Sequence, residues 1–504
     1  MDFIYIQAPT YKKYTGDDDY ELRPDHYRPE LIDDTKKKLA ENPTDVDHLN
    51  GYLPQGGLYI AEELLRRGMS VAILQDTTKK LYPKIDENVS SNTIAIGIST
   101  LSGDMLLHAL DLAKYIRNKY PDIPIIWGGS HTTAVRDVTL KHNLVDYIVW
   151  GEGELVLPQL LDAISTGKGL EKIKGIGYKK DGKLFITERS EYNSLDRIFD
   201  LPYHLIEDMH NYTRKMIIGG DRWLPMISSR GCPFRCTFCH NTSDVYPMRQ
   251  LRFHTTENII HNINKLVDNY DVDGIGFEDE LTAYNDKRLV EICHALKEVK
   301  GDLTYRIATR VDLMLRLKDE TLKLMRDSGF VAVAYGIESG SQRMLNYMSK
   351  DITIKQVIEV DERLNKFGFK KSYNFFLGMP TEKIRDMKKS IKLLAKLGRN
   401  NKTSPYPCSQ TPTYVPLPDT GMYKDAVKMG FKPPTELEGW TLLDSKDPIK
   451  TREKMRPWMK KDELEFAVSA DKKVAETSVH FIGQDADHKM IDSAMNSLEE
   501  QFGV

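Results

Sequence analysis

"SSRGCPFRCTFCHNT", Ser228 to Thr242, places three of the chain's five cysteines within eight residues. The apolar run ahead of it, Leu224 to Ile227, has strand length, so the cysteines occupy the loop at a strand's carboxyl end. The same arrangement recurs downstream. Strand-like runs stand in "VDGIGFEDE" (Val272–Glu280), "LTYRIATRVD" (Leu303–Asp312), "VAVAYGIESG" (Val331–Gly340) and "KKSYNFFLGMP" (Lys370–Pro380). Stretches of helical period separate them, such as "IKQVIEVDERLNKFG" (Ile354–Gly368). Strand then helix, repeated, predicts a parallel sheet curled into a full or partial barrel. Its chemistry would sit where strand ends feed the loops.

A second series lies upstream. "FIYIQAP", "SVAILQDT", "TIAIGISTLSG", "IPIIWGGSH" and "VDYIVWGEGE" are five strand signals within about 150 residues, interleaved with amphipathic helices, and they fit one doubly wound domain. Residues 12–52, rich in Asp, Lys, Tyr and Pro, read as a charged insertion over that sheet's ligand-binding edge. Near Asp181-Gly182 the chain alternates in period two, a hairpin signal. The expected organisation is α/β: a doubly wound N-terminal unit (1–167), a linker hairpin (168–222), a partial (β/α)6-type barrel (223–400) and a mostly helical C-terminal region (401–504).

Composition narrows the function. With 71 basic and 74 acidic residues interspersed over 504, no basic field favours nucleic acid and no polybasic run favours a membrane. A small or enclosed substrate is expected. No apolar run approaches the ~20 residues of a spanning helix, and the N-terminus goes directly into a strand pattern, so the expected compartment is the cytoplasm. In a reducing compartment clustered thiols bind metal or do chemistry.

Cys232, Cys236 and Cys239 are spaced C-x3-C-x2-C, which lets three thiolates converge on a centre of zinc or of iron and sulfur. A closed zinc site needs a fourth ligand, for which His240 is the near candidate. Three cysteines alone suit a four-iron cube with one iron left open.

"CPFRCTFC", with an aromatic before the last cysteine, resembles the signature of the radical S-adenosylmethionine (SAM) superfamily. The resemblance implies a [4Fe-4S] cluster whose open iron is chelated by SAM, and reductive cleavage of SAM to a 5′-deoxyadenosyl radical. It also implies cofactor contacts for Asp279 or Glu280, one of which would accept a hydrogen bond from SAM's amino group. Arg310 would lie near SAM's carboxylate or ribose, or pair locally with Asp312. Glu338 and Ser339 would contact SAM, with Glu338 near the ribose or amino group, and Gly378 and Pro380 would line an adenine shelf.

In the first unit, Ser99 and Leu101 followed by Gly128 and Gly129 resemble the part of cobalamin-binding domains that encloses the dimethylbenzimidazole tail. The histidine that some such domains place after the first strand is missing from "QAPTYKKYTG". Its loss is usual in the cobalamin-dependent radical SAM family, which the whole order of units resembles. His131 reads as a packing residue, and Glu152 and Glu154 as caps of the next helix. Tyr414, Asp419 and Trp440 are candidates for the lining of the substrate cavity, with a core or surface role the expected one for each.

The expected activity is a radical SAM enzyme that uses cobalamin to methylate an unactivated carbon of a small molecule, with flavodoxin or ferredoxin as electron donor. The alternatives are cyclisation or oxidation without methyl transfer, and a cobalamin- or metal-binding regulatory module.

Overall fold

The computed structural model describes residues 1–9, 53–76, 78–213, 222–243, 249–400, 408–443, 449, 451–480 and 488–504. The charged stretch 12–52, and the chain from Thr10 on in "QAPTYKKYTG", lie outside these residues. Two sheets organise the rest. The first contains β1 (Phe3–Gln7), β2 (Val71–Leu74), β3 (Ala95–Ser99), β4 (Ile125–Gly128), β5 (Tyr147–Val149), β6 (Ile176–Lys180) and β7 (Lys183–Ile186) in the order β2-β1-β3-β4-β5-β6-β7. β1 to β5 are parallel, as the five runs predicted. Their near-continuous burial reflects helices on both faces. The helix Gln55–Arg66, for example, buries Leu58, Tyr59, Ala61 and Leu64. Gly97 is required within β3, because a Cβ there would stand 2.4 Å from the Phe3 ring.

The Asp181-Gly182 hairpin forms, with both residues at positive φ, the conformation a tight two-residue turn demands. β6 pairs antiparallel with β5, so the hairpin extends the first sheet.

The second sheet contains six parallel strands in the order β15-β14-β13-β12-β11-β8. They are β8 (Trp223–Met226), β11 (Gly274–Phe277), β12 (Thr304–Thr309), β13 (Phe330–Glu338), β14 (Lys370–Phe375) and β15 (Cys408–Gln410). Between β8 and β11 a short antiparallel ribbon, β9 (Ser229–Arg230) with β10 (Arg252–Phe253), closes the base of the cysteine loop. Among the described residues the sheet stays open, a partial barrel as expected. Helices between strands show ordinary start signals: Thr353 and Gln356 form a capping box at the head of Ile354–Lys366.

Beyond β15 the chain serves both units. The turn Leu437–Leu442 crosses to the first, where Gly103 N–H donates to the Trp440 carbonyl at 3.2 Å. Helices Lys461–His480 and His488–Phe502 pack on Ile384–Asn400 of the barrel. No helix among the described residues is long and apolar enough to cross a membrane.

Candidate active site

The cysteine loop leaves β9 through Gly231, whose φ of +93° turns the chain sharply. Cys236 is buried, and Cys232 and Cys239 are half-buried. A tight turn carries them: Cys239 N–H donates to the Cys236 carbonyl at 3.0 Å, and the Thr242 hydroxyl bonds the Cys239 carbonyl at 2.7 Å. Phe238, the aromatic before the last cysteine, meets Phe376 edge-on at 5.2 Å. Burial pushes the Cys239 thiol up to about 12, so iron binding must displace its proton. Among the described residues, no three His, Cys, Asp or Glu side chains are already drawn together as ligands of one ion, the three cysteines included. Three soft sulfurs on one loop are a donor set that fits an iron-sulfur cluster.

Arg310 supports that loop from behind. Its Nη1 lies 3.2 Å from Cys236 Sγ, its Nε pairs with Asp312 at 2.8 Å, and its guanidinium stacks 3.7 Å over the Phe234 ring. The local pairing with Asp312 is therefore realised. Nη2 donates to the carbonyl of Lys350, whose own Nζ pairs with Glu338 Oε1 at 2.7 Å. Lys350 thus joins two of the expected SAM residues, and nothing in its sequence context marked it.

Asp279 and Glu280 point to different environments. The Asp279 carboxylate is buried and accepts from Ser228 N–H at 2.6 Å and from the Ser228 and Ser229 hydroxyls. Burial still pushes it up to about 6. Its task is to tie the end of β11 to the start of the cysteine loop. Glu280 is exposed, lines the cavity described below and accepts from Gly231 N–H at 3.3 Å.

Glu338 sits at a register shift between β13 and β14 with φ +69°, a strained placement held by Lys350 and by Phe376 N–H on its carbonyl. Gly336 makes room for it, since a Cβ there would lie 2.0 Å from Glu338 Oε1. Ser339 is fully buried and turns inward to Ser390 and Ser341 N–H. Gly378 adopts φ +80°, with Pro380 buried two residues on. Gly378 donates its N–H to Glu382 Oε2 at 2.6 Å and accepts from Trp458 Nε1 at 2.9 Å. The Met459 side chain stands close over the same glycine. Trp458 and Met459 are contributions from the C-terminal region that no local signal announced.

Between the two sheets lies a cavity of about 360 Å³. Ser99, Gly128 and Gly129 line it from the first unit; Ser229, Arg230, His240 and Glu280 line it from the second. Gly129 has φ +90°, and a Cβ on it would meet the Thr100 carbonyl at 2.7 Å, whereas one on Gly128 would have room. This is a cradle where bare backbone meets open space, and it fits a large flat ligand. Leu101 stands outside the cavity lining, 48% exposed. His131 packs: burial pulls it down to about 4, Ser102 Oγ holds its Nδ1 at 2.7 Å, and Trp440 lies edge-on to its ring. Trp440 and Tyr414 are core residues, and Asp419 accepts from Ser243 at 2.7 Å.

Glu152 and Glu154 do not cap the helix Val156–Thr166. They cross to the barrel, where Arg230 Nη1 pairs with Glu154 at 2.7 Å and Arg252 grips both oxygens of Glu152. Arg230 also stacks 4.4 Å from the Tyr59 ring, and Tyr59 Oη meets His254 Nε2 at 2.9 Å. The caps were expected from sequence adjacency; a buried countercharge on the other unit is the stronger attraction.

Residues 226–394 match the Radical SAM superfamily, and residues 44–161 match the B12 binding domain. An uncharacterized methyltransferase of Pyrococcus horikoshii is 27% identical over 82% of this chain and 87% of its own length. An anaerobic magnesium-protoporphyrin IX monomethyl ester cyclase of Rubrivivax gelatinosus is 28% identical over 70% of this chain, which spans 61% of that relative. The solved structure of the cobalamin-dependent SAM radical enzyme OxsB, with aqua-cobalamin and SAM bound, shares the fold. Its TM-score is 0.65 at 14% identity, over 99% of this chain and 75% of that one.

Proposed function

The chain belongs to the radical SAM enzymes that carry a B12-binding domain, and on that premise we propose that it methylates a carbon of a small molecule, with the cluster on Cys232, Cys236 and Cys239. The observation that carries this reading is a shared opening. The glycine cradle of the first sheet and the residues flanking the cysteine loop line one cavity.

When bound, the cluster and SAM supply a 5′-deoxyadenosyl radical and cobalamin supplies the methyl group, so the hard chemistry is theirs. The chain's part is placement. Glu280 offers a carboxylate to SAM's amino group beside the cysteine loop. Arg310 sets a positive charge against Cys236 and fixes Lys350, which holds Glu338 toward the ribose. Gly378 and Pro380 give backbone to the adenine, with Trp458 and Met459 sealing that loop from water. Ser99, Gly128 and Gly129 receive the cobalamin tail. The electron comes from a flavodoxin or ferredoxin, in the reducing cytoplasm that an oxygen-sensitive cluster requires.

The test is anaerobic reconstitution with iron, sulfide and cobalamin, followed by assay for 5′-deoxyadenosine against a Cys236→Ala control. With methyl-labelled SAM, label in the product supports methyl transfer; an unlabelled, ring-closed or oxidised product would favour the cyclase-like chemistry instead. No 5′-deoxyadenosine above the control would end the reading.

A further inference from the structure

A second concavity borders the same cysteine loop and shares no lining residue with the cavity between the sheets. This groove has a volume of about 420 Å³. Its floor is apolar: Pro233 and Phe234, from between the first two cysteines, with Tyr284, Leu313 and Leu317. Arg316 stands on its edge with its side chain 71% exposed, its Nη2 paired with Asp312 at 3.4 Å. Arg235, next to Phe234, is exposed, and so is Arg249, which bonds the Pro233 carbonyl at 3.4 Å. Asn285 and Asp286 complete the lining. Asp286 accepts from Lys318 N–H and the Thr321 hydroxyl, and Asp312 is buried against Arg310.

The position of Phe234 gives the groove its meaning. Its ring covers Arg310, and Arg310 touches Cys236 Sγ, so the groove floor is two contacts from a cluster sulfur. Electron transfer between proteins needs close approach. On its other side the cysteine loop faces the cavity that the first unit encloses.

We propose that this groove is the docking surface for an acidic one-electron carrier protein of the flavodoxin type, with Pro233 and Phe234 as the apolar centre and Arg235, Arg249 and Arg316 as the steering rim. The inference rests on the radical SAM reading above, which requires an electron from outside the chain. In the transfer, one electron leaves the donor's reduced flavin and enters the oxidised cluster; no bond or proton moves. An apolar centre with a charged rim is the anatomy of a transient interface, and redox encounters sit at the small end of interface size. In a chain of net charge −3, Arg316 on the groove edge and the exposed Arg235 and Arg249 beside Phe234 and Pro233 favour an acidic partner. Because the groove and the cavity are separate, a donor can dock while the cavity is filled.

The experiment uses the full chain, reconstituted anaerobically, and follows bleaching of the cluster's visible absorbance in stopped flow. A photoreduced flavodoxin is the reductant in one arm and dithionite, a small anion that needs no docking surface, in the other. Arg235→Glu combined with Arg316→Gln, which puts no new anion beside Asp312, is expected to slow reduction by flavodoxin by about tenfold or more at low salt. Its rate with dithionite should match the parent's, and the difference should shrink at high salt. Unchanged reduction by flavodoxin would overturn the proposal. So would an equal loss with dithionite, since the arginines would then serve the cluster and not the donor. If the parent chain has no dithionite-reducible cluster, the radical SAM reading fails first and takes this inference with it.

Discussion

Arg252 stands directly opposite Arg230 across the ribbon that closes the cysteine loop, and both side chains are anchored to the first unit's Glu152 and Glu154. Two like charges side by side would repel. Here a matched pair of acids from the loop after β5 neutralises them, and the same acids line the cavity. The two sheets are held together where their ligands must meet.

Removing one member should therefore cost more than a surface pair would. Glu152→Gln leaves Arg252, whose side chain is 10% exposed, without its countercharge, a loss of about 3 to 5 kcal/mol if the pair behaves as a buried one. Urea unfolding of the parent and the variant measures it. A change below about 1 kcal/mol would place the pair in the solvent-screened class.

Gly128 and Gly129 should separate folding from ligand binding. Gly129→Ala forces a side chain into φ +90° and against the Thr100 carbonyl, so it should lose about 1 to 3 kcal/mol of stability. Gly128→Ala meets no close atom in the protein and should fold as the parent does while binding cobalamin more weakly. Thermal melting with and without cobalamin distinguishes the two. Equal behaviour would mean that the cradle does not face the ligand.

Asp279 and Glu280 should divide in the same way. Asp279→Ala strands buried donors on Ser228 and Ser229, and an unmet buried group costs about 1 to 3 kcal/mol. Glu280→Gln, at an exposed position, should change stability by no more than about 0.5 kcal/mol yet weaken SAM binding to the reconstituted protein. Calorimetric titration with SAM reads the second effect, and undiminished affinity would remove Glu280 from the SAM site.

Glu382 predicts a pH dependence of folding. Burial pushes its carboxyl from 4.5 up to about 8, against the two backbone N–H bonds that favour the anion. The folded protein thus holds a proton that the unfolded chain releases. Its stabilising contribution is complete below pH 4.5 and is lost as pH rises through 8, with a slope of at most about 1.4 kcal/mol per pH unit. Glu382→Gln should flatten that part of the stability–pH curve. An unchanged curve would show that Glu382 keeps its ordinary pKa in the fold.

Much of this was legible because it is local. Strand runs, helical period and the Asp181-Gly182 turn each depend on neighbours along the chain, and the cysteine spacing is itself a short-range feature. Legibility ended where partners are far apart in sequence. Glu152 reads as a helix cap until Arg252, 100 residues on, is folded beside it. Asp279 and Glu280 are equivalent as letters, and only the direction of each side chain separates them. Lys350, Trp458 and Met459 carry no motif, because their roles follow from what β13 and β14 present to them. Leu101 stands two residues after Ser99, but the strand ends at Ser99 and Leu101 is exposed beyond it.

The crossed acids and arginines also constrain how such a chain can be recombined. Fusing this corrin-side sheet to another barrel, or this barrel to another sheet, would bring two unneutralised charges into the seam unless both loops were transplanted together. The four residues behave as a key and its lock, so inheritance of one half should be accompanied by inheritance of the other.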